Sequence, residues 1–478
     1  DIGTITKSTK ATREMDPQDD TGSIREKESD SKQYKSSFLG LLIRNRNYRL
    51  FLSSYLFSHG GEWLTYVASI SVIESILGGQ TSRTAISILI VVRLLPNVLL
   101  SSIGGTLADS RDRRESMILL SLVHSFIPFF YILAGYWASI PMVYLVTFLQ
   151  ECVAALNEPC KSAIVNQLVD NEEDLQKATA LTGVSWSCMA AIGSSVGGFV
   201  AASYGPNVCF LMDSSLFLCS AGMLYAMEGK YNTAEKESAG YGNVCERITE
   251  MTREAFQYLS GKFWWPLVLM KASSALMYGV SDVLNVSFSE NGDGDRDEKL
   301  GILFAFVGMG CLVGLFVSDA FTSVSRIQSL QWAGIVSLGF STIGSFGMGM
   351  MGSFHWLCFF TLVRSAGSSG TWINSSVLLQ LFAAPEKMGR VLALDGALSL
   401  LLEATSAMLC GYLQDDLGLG PQAVSLLVSG IGSVLFSLWC CYHWTGRGAT
   451  SQEAAAFMQQ IAEDKADKRT LTEQTPLI

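Results

Sequence analysis

Charge is scarce in this chain: Asp, Glu, Lys and Arg make up 16% of its 478 residues, against 49% hydrophobic residues. The mean hydropathy is +0.31. A soluble protein of this length needs about 25% charged residues, so the deficit points to lipid as the solvent for most of the chain. Bases are scarcer than acids, 33 against 43, and no cluster of Lys and Arg stands out, which excludes a nucleic-acid partner. Histidine is rare too, and His59, His124 and His355 stand alone, as satisfied interior groups rather than proton relays. The eleven cysteines form no CxxC pair and no Cys/His spacing, so no metal site is expected. Those inside apolar runs, such as Cys152, Cys188, Cys311 and Cys410, read as small buried hydrophobes. The chain lacks a G-x-x-x-x-G-K-[ST] loop, a nucleophile elbow and an HExxH segment. ATP-driven pumping and enzymatic hydrolysis are thereby unsupported, and neither an enzyme nor a cofactor is expected.

Long hydrophobic runs, by contrast, are abundant. A bilayer core takes about 20 apolar residues per helix, and twelve such stretches are predicted: 48–77, 84–108, 116–138, 140–165, 178–204, 206–227, 264–288, 300–322, 327–351, 354–383, 391–413 and 421–444. The expected fold is therefore all-α, a polytopic membrane protein of twelve transmembrane helices in two six-helix bundles, at 38–228 and 263–446. Between them, 229–262 is a polar linker whose second half repeats apolar residues at helical spacing, as an amphipathic helix on the cytosolic face would. Residues 1–37 and 447–478 are expected to be cytosolic tails, the first of them disordered. The sequence starts at Asp1 rather than Met, which reads as a processed or incomplete start.

Orientation follows from the bases. Arg44, Arg46 and Arg49 precede the first stretch, Arg111, Arg113 and Arg114 follow the second, Lys161 and Lys177 flank the loop after the fourth, and Lys387 and Arg390 follow the tenth. The positive-inside rule then places both termini in the cytosol, with Arg83, Arg296 and Lys299 as exceptions on the other side.

The two halves echo each other. At an offset of 213 positions, Ser162, Gln167, Leu168, Glu173, Lys177, Ala180 and Leu181 meet Ser375, Gln380, Leu381, Glu386, Arg390, Ala393 and Leu394. Gly104 and Asp109 share their spacing with Gly314 and Asp319, at the ends of the second and eighth stretches. Two echoes at nearly one offset favour duplication, and a duplicated transporter places its substrate site where the repeats meet.

The sharpest local motif is GGTLADSRDRR, residues 104–114. It resembles the loop joining helices two and three in the major facilitator superfamily, roughly G-x-L-a-D-r-x-[GD]-R-[RK]. Gly105, Leu107, Ala108, Asp109, Asp112, Arg113 and Arg114 match, while Ser110 replaces the usual Arg. Such residues allow close helix packing and a charge latch at a cytosolic gate, to which the resemblance assigns Arg93 as well. Further resemblance lies in RNRNYRLFLSSYLFSHGGEWL and EPCKSAIVNQLVDNEEDLQKATAL, which are similar to the branch containing the enterobactin exporter and drug and macrolide efflux proteins. Gly193, Gly197 and Gly198 resemble the helix-five glycine motif of antiporters, with Ser194 where that motif has Pro. The helix-four R-x-x-Q-G motif keeps Gln150 but has Thr147 and Glu151 in place of Arg and Gly.

Ionisable residues inside spans are costly and therefore point to function. By the resemblance, helices one, four, seven and ten line the cavity, so Glu62, Glu151, Asp282 and Arg364 are the expected substrate or proton-coupling residues. The offset of 213 brings Glu151 opposite Arg364, the favoured pair. Asp213, Asp395 and Glu403 rank behind them, and Lys271 is expected to snorkel. The chain is thus expected to move a small organic solute by alternating access, as a proton-coupled exporter and a monomer, with the solute, the bilayer and protons as its partners. Uptake or facilitated transport by the same fold, or a sensor without flux, are the alternatives. Residues 291–298 lack the EF-hand Gly and closing Glu and read as a solvated loop. EQTPLI, 473–478, resembles an acidic di-leucine sorting signal, so the expected membrane is the plasma membrane or a vacuolar or endolysosomal one.

Overall fold

A computed structural model describes residues 38–79, 82–169, 171–231, 253–254, 256–260, 262, 264–290, 294–322, 327–383 and 385–445. The two tails, most of the linker, residues 291–293 and the sorting-like segment lie outside them.

The first part of the chain forms α1 (Phe38–Arg44), α2 (Arg46–Ile76), α3 (Arg83–Ser110), α4 (Arg113–Phe126), α5 (Pro128–Tyr136), α6 (Ile140–Leu168), α7 (Glu172–Tyr204) and α8 (Pro206–Tyr225). The second part forms α9 (Val268–Ser289), α10 (Arg296–Phe321), α11 (Ile327–Met350), α12 (Phe354–Phe382), α13 (Pro385–Asp415) and α14 (Pro421–Trp444). Helix starts are written in the sequence. Asn45 Oδ1 accepts from Tyr48 N at 2.8 Å, Ser82 Oγ from Ala85 N at 3.1 Å and Asn171 Oδ1 from Asp174 N at 2.7 Å, each satisfying an orphan donor of the first turn. Pro128, Pro206 and Pro421 open α5, α8 and α14, where a missing N–H costs nothing. Pro128 also breaks the expected third stretch, so α4 and α5 form one column interrupted at Ile127. Between α7 and α8 the chain reverses at Gly205, whose φ of +84° suits only glycine without strain.

Ten of these columns are long and apolar enough to cross a membrane. α2 and α12 are as long, 31 and 29 residues, but are not among the ten. Their polar side chains are turned into the protein: Ser54, Ser58, His59 and Glu74 on α2, and Arg364, Asn374 and Ser375 on α12, are all buried. Large apolar side chains point outward from the bundle, among them Leu119, Phe126, Phe199, Phe316, Phe346 and Val434, and on α12 Trp356 and Phe359, as a lipid-facing surface requires.

The same packing recurs in both sets of six. α3 lies on α6, α2 on α7 and α4 on α8; α10 lies on α12, α9 on α13 and α11 on α14. The repeat reaches single atoms: a Cβ at Gly104 would meet Ala155 O at 2.8 Å, and one at Gly314 would strike Ala366 O. Across the two sets, α7 packs on α10 and α3 on α13.

Candidate functional site

On α2, His59, Glu62, Trp63 and Tyr66 recur at helical spacing on one face, which turns them toward the middle of the bundle. His59 Nδ1 and Glu62 Oε2 lie 2.7 Å apart. Arg93, from α3, donates through Nε to Glu151 Oε1 of α6 at 3.0 Å. Its guanidinium carbon sits 4.1 Å from the Tyr66 ring centroid and 5.4 Å from that of Trp63, a cation–π seat. The Tyr66 hydroxyl donates to Asp282 Oδ2 of α9 at 3.3 Å. A continuous relay therefore runs Glu151–Arg93–Tyr66–Asp282, and its last contact crosses from the first six-helix set to the second.

Beside it, Arg364 of α12 donates through Nη2 to Asn285 Oδ1 at 3.4 Å. Asp282 Oδ1, Arg364 Nε and Asn285 Nδ2 are buried and have no hydrogen-bond partner among the described residues. Unmatched buried polar atoms are expensive, so these three are the atoms here with capacity left for a ligand. Trp63 and Tyr66 close on Phe304 of α10 at 6.0 and 5.4 Å between ring centroids, and Trp63 reaches Trp186 of α7 at 5.9 Å. The centre thus combines both signs of charge with a wall of aromatic rings.

The two sets meet at the end away from the tails. Arg296 pairs with Glu74 across the divide, and Arg83 with Glu290 at 2.6 Å. Asp415 Oδ2 accepts from Ser82 Oγ at 3.0 Å and from Thr84 N at 2.8 Å, so an acid of α13 caps α3. Deeper in, Ser87 Oγ donates to Ala407 O at 2.7 Å. A Cβ at Gly198 would come within 2.5 Å of Asp297 O and 2.7 Å of Gly301 Cα, and one at Gly308 within 2.8 Å of Ala191 Cα. Arg83 and Arg296, the two arginines that break the positive-inside pattern, serve in this seam.

Comparison with known sequences decides the family. Residues 51–401 match the Major Facilitator Superfamily. The chain belongs to that superfamily. It is a membrane transporter and not an enzyme. An uncharacterized MFS-type transporter, YfiS of Bacillus subtilis (strain 168), is 26% identical over 364 residues, 73% of this chain and 82% of the relative. Among solved structures, the nucleoside transporter NupG superposes with a TM-score of 0.63 at 12% identity, covering 83% of this chain and 98% of that one. The POT family transporter PepTSo gives 0.64 at 12% identity, over 84% and 99%. A bacterial homolog of the human lysosomal transporter Spinster gives 0.60 at 12%, over 84% and 98%. These likenesses show the fold.

Within the facilitator fold, the candidate residues do not all pair as expected. Glu151 binds Arg93, not Arg364, because α3 and α6 pack together while α12 belongs to the other set. Arg93 is mid-helix, sixteen residues before Asp109, hence about 24 Å along α3 from it. Its contacts are with Glu151 and Tyr66 at the centre. Asp109 is on the last turn of α3, and its side chain lies outside the described residues. Arg113 and Arg114 belong to the first turn of α4 rather than to a loop. Arg113 donates to Ala108 O at 3.0 Å and Ala163 O at 3.3 Å, and Arg114 to Leu224 O at 2.9 Å and Tyr225 O at 2.7 Å. They tie the α3–α4 turn to the ends of α6 and α8, relieving carbonyls left over at those helix ends.

Gly105 has open space where a Cβ would stand, and the close approach belongs to its neighbour Gly104. In α7, a Cβ at Gly193 would lie 2.9 Å from both Gly60 O and Trp63 Cβ, and one at Gly197 3.2 Å from Leu64 Cα. These two pack α7 on α2, while Gly198 meets the other set. Lys271 does not snorkel: its Nζ lies 2.5 Å from Asp395 Oδ2 and 4.7 Å from the Trp372 ring centroid. His59 and His124 are not isolated either, the former pairing with Glu62 and the latter lying 4.0 Å from Asp213. Sequence reasoning passed over Gly301, Gly308, Glu74 and Asp415, which gain meaning only from the partner set.

Proposed function

We propose that this chain is a twelve-span, proton-coupled exporter of a small organic solute, working by alternating access of its two six-helix halves. α2 and α12 cross the membrane with the other ten columns. They fall short in hydropathy because their polar side chains face the centre of the bundle. The observation that carries this reading is the relay Glu151–Arg93–Tyr66–Asp282, ionisable groups in contact across the divide between halves. A proton taken up by Glu151 or Asp282 weakens its hold on Arg93 or Tyr66, and a solute with polar and aromatic parts competes for the same partners. Glu62 and Arg364 flank the relay as further contacts for the solute.

The bases near the tails support a cytosolic location for both termini. In that orientation the seam made by Glu74, Arg296, Gly198 and Gly301 seals the non-cytosolic side, the loading state of an exporter. Gly193 and Gly197 support the antiporter reading by letting α7 lie close on the cavity helix α2. The GGTLADSRDRR segment serves as the cytosolic gate of a monomer in the plasma membrane or an internal vacuolar or endolysosomal membrane.

The test is a broad solute screen on the purified full-length protein, scored by thermal stabilisation. Each binder is then loaded into proteoliposomes. Proton-coupled export predicts flux that a protonophore abolishes and that Glu151→Gln and Asp282→Asn each reduce at least tenfold. Flux indifferent to the protonophore makes the protein a facilitator, and binding without flux makes it a receptor.

A further inference from the structure

Inside the first six-helix set lies a second ionisable cluster that the central relay does not use. Asp213 of α8 is 0% exposed, and among the described residues its carboxyl has one hydrogen-bond partner, the Thr65 hydroxyl at 2.6 Å on Oδ2. Its other oxygen has none there and rests against the backbone of Gly61, where any Cβ would strike it. His124 of α4, 1% exposed, is stacked on Phe217 with ring centroids 3.5 Å apart. Its Nε2 has no hydrogen-bond partner among the described residues and stands 4.0 Å from Asp213 Oδ2, beyond hydrogen-bond length. The titratable groups facing this site are Glu62 from α2, Tyr131 from α5, Lys161 from α6, acting on Glu62 and His124, and Cys209 on α8 itself.

A carboxylate sealed from water needs a charged partner in contact, and an imidazolium would have closed to hydrogen-bond distance. At 4.0 Å, with one neutral hydroxyl donor, the site accommodates a neutral acid beside a neutral imidazole. We propose that Asp213 is a proton-binding site of the first half, with His124 as the neighbouring base. The proton leaves Asp213 for His124 Nε2 only when the two close to contact, giving carboxylate and imidazolium with no change in net charge. Two of the surfaces that confine the carboxyl, Thr65 and Gly61, belong to α2, which also carries Glu62, Trp63 and Tyr66 to the centre. A sideways movement of α2 therefore changes the affinity of Asp213 for its proton, and occupancy of Asp213 biases α2. This lies apart from the central relay and needs no solute.

The experiment is infrared difference spectroscopy of the full-length protein in lipid, between about pH 5 and about pH 9, following the carbonyl stretch of protonated carboxylic acids. Expected is a component of that band that Asp213→Asn removes and that Glu62→Gln and Asp282→Asn leave in place. Thr65→Val removes the donor that favours the ionised form, so it raises the midpoint of this component by about one pH unit. Thr65→Val also keeps the test open if Asp213→Asn does not fold. A spectrum without such a component, one that Asp213→Asn leaves unchanged, or a midpoint that Thr65→Val does not move would overturn the assignment.

Discussion

Gly198→Ala is the substitution whose effect the seam geometry fixes most tightly. The added methyl would face Asp297 O at 2.5 Å, Gly301 Cα at 2.7 Å and Gly301 N at 2.9 Å, all backbone atoms of the other half. No side chain can rotate out of the way, so α7 and α10 must part by about 1 Å to restore van der Waals distance. Overpacking of this kind costs about 1–3 kcal/mol, and the cost falls on the state in which this end is closed. The equilibrium then moves about 5- to 150-fold toward opening at this end, at tenfold per 1.4 kcal/mol. Ser87 reports the opening, because it is fully buried and its hydroxyl bonds Ala407 across the seam. With Ser87→Cys in a chain whose eleven native cysteines are replaced, Gly198→Ala should speed reaction with a membrane-impermeant maleimide. Gly105→Ala, which meets open space, should leave the rate alone. Equal rates in the two variants would refute the reasoning, as would a Gly198→Ala chain that merely melts earlier, since the contact would then be needed in every state.

Glu74→Gln should act in the same direction. The Glu74 side chain is 7% exposed and that of Arg296 23%, so the loss is about 1–3 kcal/mol, below that of a fully buried pair; an unchanged Ser87→Cys reaction rate would refute it. Lys271→Met should strand Asp395, which is 0% exposed, at a cost of about 3–5 kcal/mol. Lys271→Met with Asp395→Asn should then melt higher than Lys271→Met alone, a non-additivity read from a double-mutant cycle. Asp112→Ala removes the acceptor for Glu115 N at 3.1 Å and Tyr231 N at 2.8 Å, for a loss of about 1–2 kcal/mol and faster proteolysis after α8.

The fold was legible because lipid imposes one rule on every span: apolar side chains outside and backbone hydrogen bonds satisfied within the helix. Even the polar columns α2 and α12 could be delimited from the breaks around them, although neither is apolar enough to pass on hydropathy. The repeat was legible too, since Gly104 and Gly314 lean on Ala155 and Ala366 at the same place in each half. Partners across the divide were not legible. Glu74 and Arg296 are far apart in sequence, and nothing local to either announces the other. The available signal was the anomaly itself: arginines at the ends expected to lack bases, beside acidic helix ends. Asp213 and His124 were each visible as single residues, but their proximity was not, because an acid and an imidazole on separate helices show no spacing.

Glu151 contacts Arg93 rather than its pseudo-equivalent Arg364 for an instructive reason. Pseudo-symmetry gives two residues equivalent depth, but contact needs packed helices, and α6 packs on α3, which carries Arg93. Ion pairs instead form inside each half where helices are in contact, Arg93 with Glu151 in the first and Lys271 with Asp395 in the second. Among the described residues, the central polar contact across the divide is a hydroxyl on a carboxylate, Tyr66 on Asp282. Halves arranged in this way can separate at the centre without breaking an ion pair between them, the step that would otherwise raise the barrier most. The ion pairs that do cross, Glu74–Arg296 and Arg83–Glu290, lie at a helix end, where water can replace each lost partner. Moving one of those pairs inward to the level of Tyr66 should therefore lock the closed arrangement rather than strengthen transport.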